Sequence, residues 1–157
     1  MKLAQAIKRG FTLIELLVVI GILAILLAIT LIAINPARQF QQANDTKRAS
    51  DVNAILNAVG QFAADNNGAL PAGVDSTVRE INGAASATTT GVAFCSALVP
   101  QYIASMPVDP TVNNGTAITD CTDITYDTGY SIVSSATNNR VTVSAVGQIT
   151  NPITVTR

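Results

Sequence analysis

The chain has no histidine and no tryptophan, only 2 cysteines, and just 12% charged residues. Without histidine, general acid–base chemistry lacks the side chain that most often performs it near neutral pH. The same absence removes every Cys/His metal spacing, and the sequence contains no Gly-rich phosphate loop, dinucleotide turn or Ser-His-Asp set. An enzyme is therefore not expected, and no cofactor is called for. With 9 Lys+Arg against 10 Asp+Glu the formal charge is -1, so the chain offers no basic footprint for nucleic acid.

What the chain has instead is apolar residues, 48% of the total, concentrated near one end. From Phe11 to Ile34 it reads FTLIELLVVIGILAILLAITLIAI. At about 1.5 Å per residue this run reaches roughly 36 Å as a helix, long enough to cross a bilayer with tilt. One carboxylate, Glu15, interrupts it. Ionisable groups in such segments are costly, so Glu15 is a functional candidate by default. Lys2, Lys8 and Arg9 precede the run with no acid among them, whereas Arg38, Asp45, Lys47, Arg48 and Asp51 follow it. By the positive-inside rule the N-terminus stays in the cytoplasm and the bulk of the chain crosses. A secretory signal has a shorter apolar core and a small-residue cleavage site after it. Here the small residue, Gly10, comes first.

The stretch Lys8-Arg9-Gly10-Phe11-Thr12-Leu13-Ile14-Glu15-Leu16 resembles the prepilin leader of type IV pilins and of the pseudopilins of type II secretion and competence systems. The resemblance implies cleavage between Gly10 and Phe11 by a prepilin peptidase, N-methylation of Phe11, and retention of the apolar helix. It further implies polymerisation into a helical homopolymer, driven by a cytoplasmic assembly ATPase and an inner-membrane platform protein. In that setting Glu15 is an assembly residue. Cleavage turns Phe11 into a buried cation that needs a partner, and a carboxylate on a neighbouring subunit supplies one. Before assembly the subunit is a single-pass protein of the bacterial inner membrane, in contact with lipid. Afterwards it is part of a surface pilus or a periplasmic pseudopilus.

The expected fold is α+β, with a long N-terminal helix packed on a small antiparallel sheet, a pilin-like arrangement. Residues 1–10 are the leader, 11–34 the transmembrane and polymerisation helix, and 35–157 an extracytoplasmic head. Pro36 has no amide for an internal helical bond, so a restart is expected at Asn35-Pro36. From Ala37 to about Asp65 the residues Phe40, Ala43, Val52, Ile55, Leu56, Val59, Phe62 and Ala63 recur mostly at three and four, with Gln41, Gln42, Asp45, Arg48 and Asp51 on the other side. Asn66-Asn67-Gly68 ends this amphipathic helix, 35–66. A connecting loop region, 67–125, is rich in Gly, Ala, Ser and Thr, with a short strand or turn near Thr77 to Ile81. The final part, 126–157, reads as antiparallel strands at Tyr126 to Ser134, Arg140 to Val146 and Ile149 to Thr156, separated by Asn138-Asn139 and Gly147-Gln148. Within the loop region, Leu98 to Tyr102 followed by Pro107-Val108-Asp109-Pro110 resembles the connector of the major pseudopilins.

Cys95 and Cys121 lie in the part expected outside the cytoplasm, where a pair favours a disulfide closing a loop around that corner. Asp109, Asp120, Asp123 and Asp127 gather about the same loop. Asp109, Asp123 and Asp127 are calcium candidates against the plainer reading of solvated turn aspartates. Asn44-Asp45-Thr46 and Asn114-Gly115-Thr116 satisfy the glycosylation pattern. Two classes of function follow. One is a fibre subunit, either a type IV pilin or a pseudopilin of a secretion or competence system. The other is a membrane-anchored binding domain that does not polymerise.

Overall fold

The computed structural model describes residues 10–157, so Lys8 and Arg9 of the leader-like stretch lie outside the described residues. The chain divides into two compact units between Gln39 and Phe40.

The first unit is built on helix α1 (Leu13–Ala33). Apart from Glu15 and Thr30 its residues are apolar on every side, and none is buried. A helix that is apolar all round needs an apolar surrounding, and this one has the length and composition to cross a membrane. It closes at Ile34, whose N–H donates to the Thr30 carbonyl at 3.1 Å. Helix α2 (Pro36–Asp65) then begins. Asn35 supports its first turn, its side-chain oxygen accepting from the Arg38 N–H at 3.3 Å and its carbonyl from the Gln39 N–H at 3.4 Å. Pro36 at the first helical position has no donor to leave unpaired, so the restart read from the sequence is observed.

The second unit, the head, is an α+β domain. Its four strands, β1 (Arg79–Asn82), β2 (Asp127–Ser134), β3 (Val141–Ala145) and β4 (Ile153–Thr156), form an antiparallel sheet in the order β1-β2-β3-β4. Register fixes the faces, because side chains alternate along a strand. Ile132 lies opposite Val143, and Ala145 opposite Ile153; all four are buried. Ser131 pairs with Ser144, and Thr142 with Thr156, on the other face. The inner face shares one apolar core with Val52, Ile55, Leu56 and Val59 of α2.

Three sequence expectations need correction. The buried stripe of α2 runs Asp45, Arg48, Val52, Ile55, Val59, so two charged residues assigned to the solvent side lie inside, while Phe40, assigned to the apolar side, is 70% exposed. The connector after Gly91 is partly helical, as α3 (Val92–Leu98), which buries Phe94, Cys95 and Leu98. Seven residues are too few for a helical period to stand out in the sequence. Lastly, β3 and β4 are joined by a loop over 146–152, wider than a turn at Gly147-Gln148. The N–H groups of Gln148, Ile149 and Thr150 donate to the Asp45 carboxylate, and Pro152 has no N–H to give a ladder.

The end of α2 follows the sequence reading. Asn67 and Gly68 take positive φ of 55° and 86°, and the Gly68 N–H returns to the Ala63 carbonyl at 2.7 Å, a left-handed stop that glycine adopts without strain.

A disulfide joins Cys95 of α3 to Cys121, with Cα atoms 5.4 Å apart and a sequence separation of 26. It closes the segment in which Met106 and Val108 are buried and in which Met106 and Ile118 exchange backbone bonds of 2.8 and 2.9 Å. Replacing both cysteines by serine is expected to lower the head's stability by about 3.5 kcal/mol on chain-entropy reasoning. Urea unfolding of the oxidised parent and the double variant measures it; a difference below about 1 kcal/mol would show that the loop is held by its packing alone.

Candidate functional site

At the start of α1 the chain makes a tight local arrangement around Thr12 and Glu15. Thr12 stands just ahead of the helix with extended backbone, φ -79° and ψ 150°. Its hydroxyl oxygen accepts from the Glu15 N–H at 3.3 Å. In return Glu15 Oε2 accepts from the Thr12 N–H at 2.8 Å and from the Thr12 hydroxyl at 2.7 Å. This is a capping box: the first turn of a helix has unpaired N–H groups, and the reciprocal Thr/Glu exchange satisfies two donors that would otherwise face lipid or water. The carboxylate also sits at the positive end of the helix dipole, where negative charge is favoured. Gly10 and Phe11 precede the box, both exposed, Phe11 at 87%. Among the described residues, a methyl group built on Gly10 would meet nothing within 4 Å.

The chemistry of the box differs from the picture of a bare carboxylate awaiting a partner. Glu15 is already coordinated by its own chain. The signal is present in the sequence as Thr12-x-x-Glu15 at the head of an apolar run, the capping-box signature. Reading Glu15 for its charge alone misses it.

The head holds a second polar centre, which the sequence reading does not assemble. Arg48, 2% exposed, donates from Nε to Asp109 Oδ2 at 2.6 Å and from Nη2 to Asp109 Oδ1 at 2.9 Å. This is the paired geometry that makes guanidinium–carboxylate contacts directional. Its Nη1 donates to Asp45 Oδ1 at 2.8 Å. Asp45 collects three further bonds, from the N–H groups of Gln148, Ile149 and Thr150 at 2.8, 2.7 and 3.0 Å. Asp109 also accepts the Thr111 N–H and hydroxyl, each at 2.7 Å. Burial pushes both carboxyls up, but the donors around them outweigh it, and both titrate below the ordinary aspartate value. The arrangement ties α2 to the Pro107–Pro110 corner and to the β3–β4 loop. It is saturated internally, so it offers structure with no open position for a ligand.

The remaining acidic candidates each have a structural role. Asp109 is committed to Arg48. Asp120 accepts the N–H and hydroxyl of Thr122 at 2.9 and 2.6 Å, and Asp123 those of Thr125, both at 2.7 Å. Those bonds hold each carboxyl below its usual value. Asp127 accepts the Gly129 N–H at 2.9 Å. Asp120, Asp123 and Asp127 thus each cap their own turn, and among the described residues no three of His, Cys, Asp or Glu converge as metal ligands. Of the two glycosylation patterns, Asn44 lies inside α2 with its amide on Gln148 at 3.2 Å, and Asn114 is exposed.

A family model described as the prokaryotic N-terminal methylation motif matches residues 6–31. The match takes in Gly10, Phe11, the capping box and nearly all of α1, and this motif is the hallmark of prepilin-type cleavage in type IV pilins and pseudopilins. No curated protein and no solved structure matches the chain.

Proposed function

We propose that this chain, which carries the prokaryotic N-terminal methylation motif, is the structural subunit of a type IV pilus-like filament. A prepilin peptidase removes residues 1–10, Phe11 becomes the methylated N-terminus, and α1 holds the subunit in the inner membrane until it polymerises through the same helix. The observation that carries this reading is the placement of Glu15, a single carboxylate one turn from the cleavage point inside a helix that is otherwise apolar on every side. Cleavage creates an ammonium group on Phe11. In an apolar surrounding that cation is stable only beside an anion, and Glu15 of an adjacent subunit is the anion to hand. Polymerisation then exchanges lipid around α1 for copies of α1, with a head-to-tail geometry that leaves the filament open. The work of extraction falls to an assembly ATPase and a membrane platform protein.

The head suits an oxidising compartment. Its disulfide is buried in the core, as expected for a domain carried outside the cytoplasm. A second reading, a pseudopilin of a secretion system, draws on the Pro107–Pro110 corner, whose Asp109 is fixed by Arg48 of α2.

Intact-mass analysis after co-expression with a prepilin peptidase tests the processing step. The expected mature species lacks residues 1–10 and carries one methyl group on Phe11. A precursor that stays whole in the presence of an active peptidase would sink the proposal and leave a plain membrane-anchored domain.

A further inference from the structure

The end of the head where the chain arrives from α1 has an unusual composition. Phe40 is 70% exposed, and in the β3–β4 loop Val146 is 70% and Ile149 44% exposed. These residues share one end of the domain. Phe40 lies one helical turn before Asn44 on the same face of α2, and Asn44 donates to the Gln148 side chain, between Val146 and Ile149. From Ile34 to Asn44 and from Val146 to Pro152 the sequence has no acid and one cation, Arg38. Asp45, the first acid met along α2, is 8% exposed, turned onto three backbone N–H groups and Arg48. Asp45 thus holds the apolar loop against α2 while its own charge is spent inside.

We propose that this end, Phe40 with Ile149 and Val146, seats on the anionic headgroup layer of the bilayer while the subunit is stored in the membrane. The proposal rests on α1 spanning that membrane. Ile34 closes the apolar helix and Phe40 follows six residues later, so the chain itself tethers Phe40 within about 20 Å of the end of the span, close enough to reach the headgroup layer that borders the hydrocarbon. Aromatic and aliphatic groups insert at the headgroup boundary, and Arg38 adds attraction to anionic lipid. Neither the 34–44 segment nor the 146–152 loop carries an acid that would oppose it by repulsion.

Because the chain has no tryptophan, single-tryptophan variants report without background. The full precursor carrying Phe40→Trp, Ile149→Trp or, as comparator, Ile124→Trp is placed in vesicles of phosphatidylcholine and phosphatidylglycerol with bromines high on the acyl chains. Ile124 is itself 67% exposed and lies beside Gly83. The expected result is a blue shift and loss of emission for Phe40→Trp and Ile149→Trp, with Ile124→Trp unaffected, and a smaller loss when phosphatidylglycerol is left out. Vesicle flotation shows separately that α1 is inserted, and recovery of the Cys95–Cys121 bridge shows that the head is folded. Floated, folded protein whose three probes quench equally overturns the seat while sparing the membrane span. Probes at Phe40 and Ile149 that stay water-exposed in vesicles but shift on fibre formation would assign this end to a second copy of the chain and overturn the lipid seat as well.

Discussion

Arg48→Met is expected to destabilise the head by about 3 to 5 kcal/mol at neutral pH, the cost of leaving a buried charge without its partner. Methionine matches much of the arginine stem, so the loss falls on the charge pairs more than on packing. Asp109, 4% exposed, keeps only the Thr111 N–H and hydroxyl. Asp45 keeps its three backbone donors and should tolerate the change better. Adding Asp109→Asn to Arg48→Met neutralises the stranded carboxylate while keeping an acceptor for Thr111, and should recover a measurable part of the loss. Chemical denaturation of the three variants checks this. Independent, additive effects of the two substitutions would mean that the pair is not coupled.

The same centre sets a pH dependence with a definite sign. Asp45 and Asp109 both titrate below their ordinary value of 3.8 in the folded head. A group whose folded pKa is depressed contributes stability above its unfolded pKa and loses it as pH falls through the folded one. The parent should therefore hold its stability from neutral pH down to the ordinary aspartate range, near pH 4, and lose it below. In Arg48→Met the logic reverses for Asp109. Burial now favours its neutral form, so the penalty of the substitution should shrink as the solution is acidified and Asp109 takes up a proton.

How far the sequence leads depends on which physical signal a residue leaves in it. Helix α1 is legible because an unbroken apolar run of membrane length suits lipid better than any single face of a small head could, and the break at Asn35-Pro36 is legible because proline has no N–H. The alternation of Val141, Val143 and Ala145 with Thr142 and Ser144 declares β3 and its buried face. What escapes is what depends on distant partners. Asp45 and Arg48 look like solvent-facing charges because binary patterning has no way to show that Asp109, 61 residues beyond Arg48, will meet them. The width of the β3–β4 loop escapes for the same reason, its N–H groups being claimed by Asp45. Phe40 looks like core because it falls on the apolar stripe, but α2 begins well before the sheet that the stripe packs against. Within the candidate site, Gly10, Phe11 and Glu15 announce themselves by motif, whereas Thr12 is visible only when the helix start is read as a hydrogen-bonding problem.

Thr12 makes the decisive experiment on Glu15 sharper than simple removal of the charge. One carboxylate closes the capping box in its own subunit, and the proposed function gives it a second role, pairing with the Phe11 amine of another. Glutamine separates them, since its side-chain oxygen still accepts from the Thr12 N–H as glutamate does in the box while carrying no charge for the amine. Glu15→Leu removes both. If intersubunit charge pairing drives assembly, both variants should insert in the membrane, be cleaved, fold the head with its disulfide, and yield fibres reduced roughly tenfold or more, the change in association that a lost pairing of modest strength produces. If capping alone matters, Glu15→Gln should assemble like the parent and only Glu15→Leu should fail. The measurement is sheared or pelleted fibre against membrane-held subunit, scored for both variants in the presence of the peptidase. Normal fibres from Glu15→Gln would remove the pairing role from the proposal while leaving cleavage and membrane storage in place. The capping box predicts one more feature of the result. Thr12 adjoins Phe11, the residue on which cleavage would create the new amine. If pairing drives assembly, Glu15 exchanges its Thr12 donors for a neighbour's ammonium as the subunit joins the fibre.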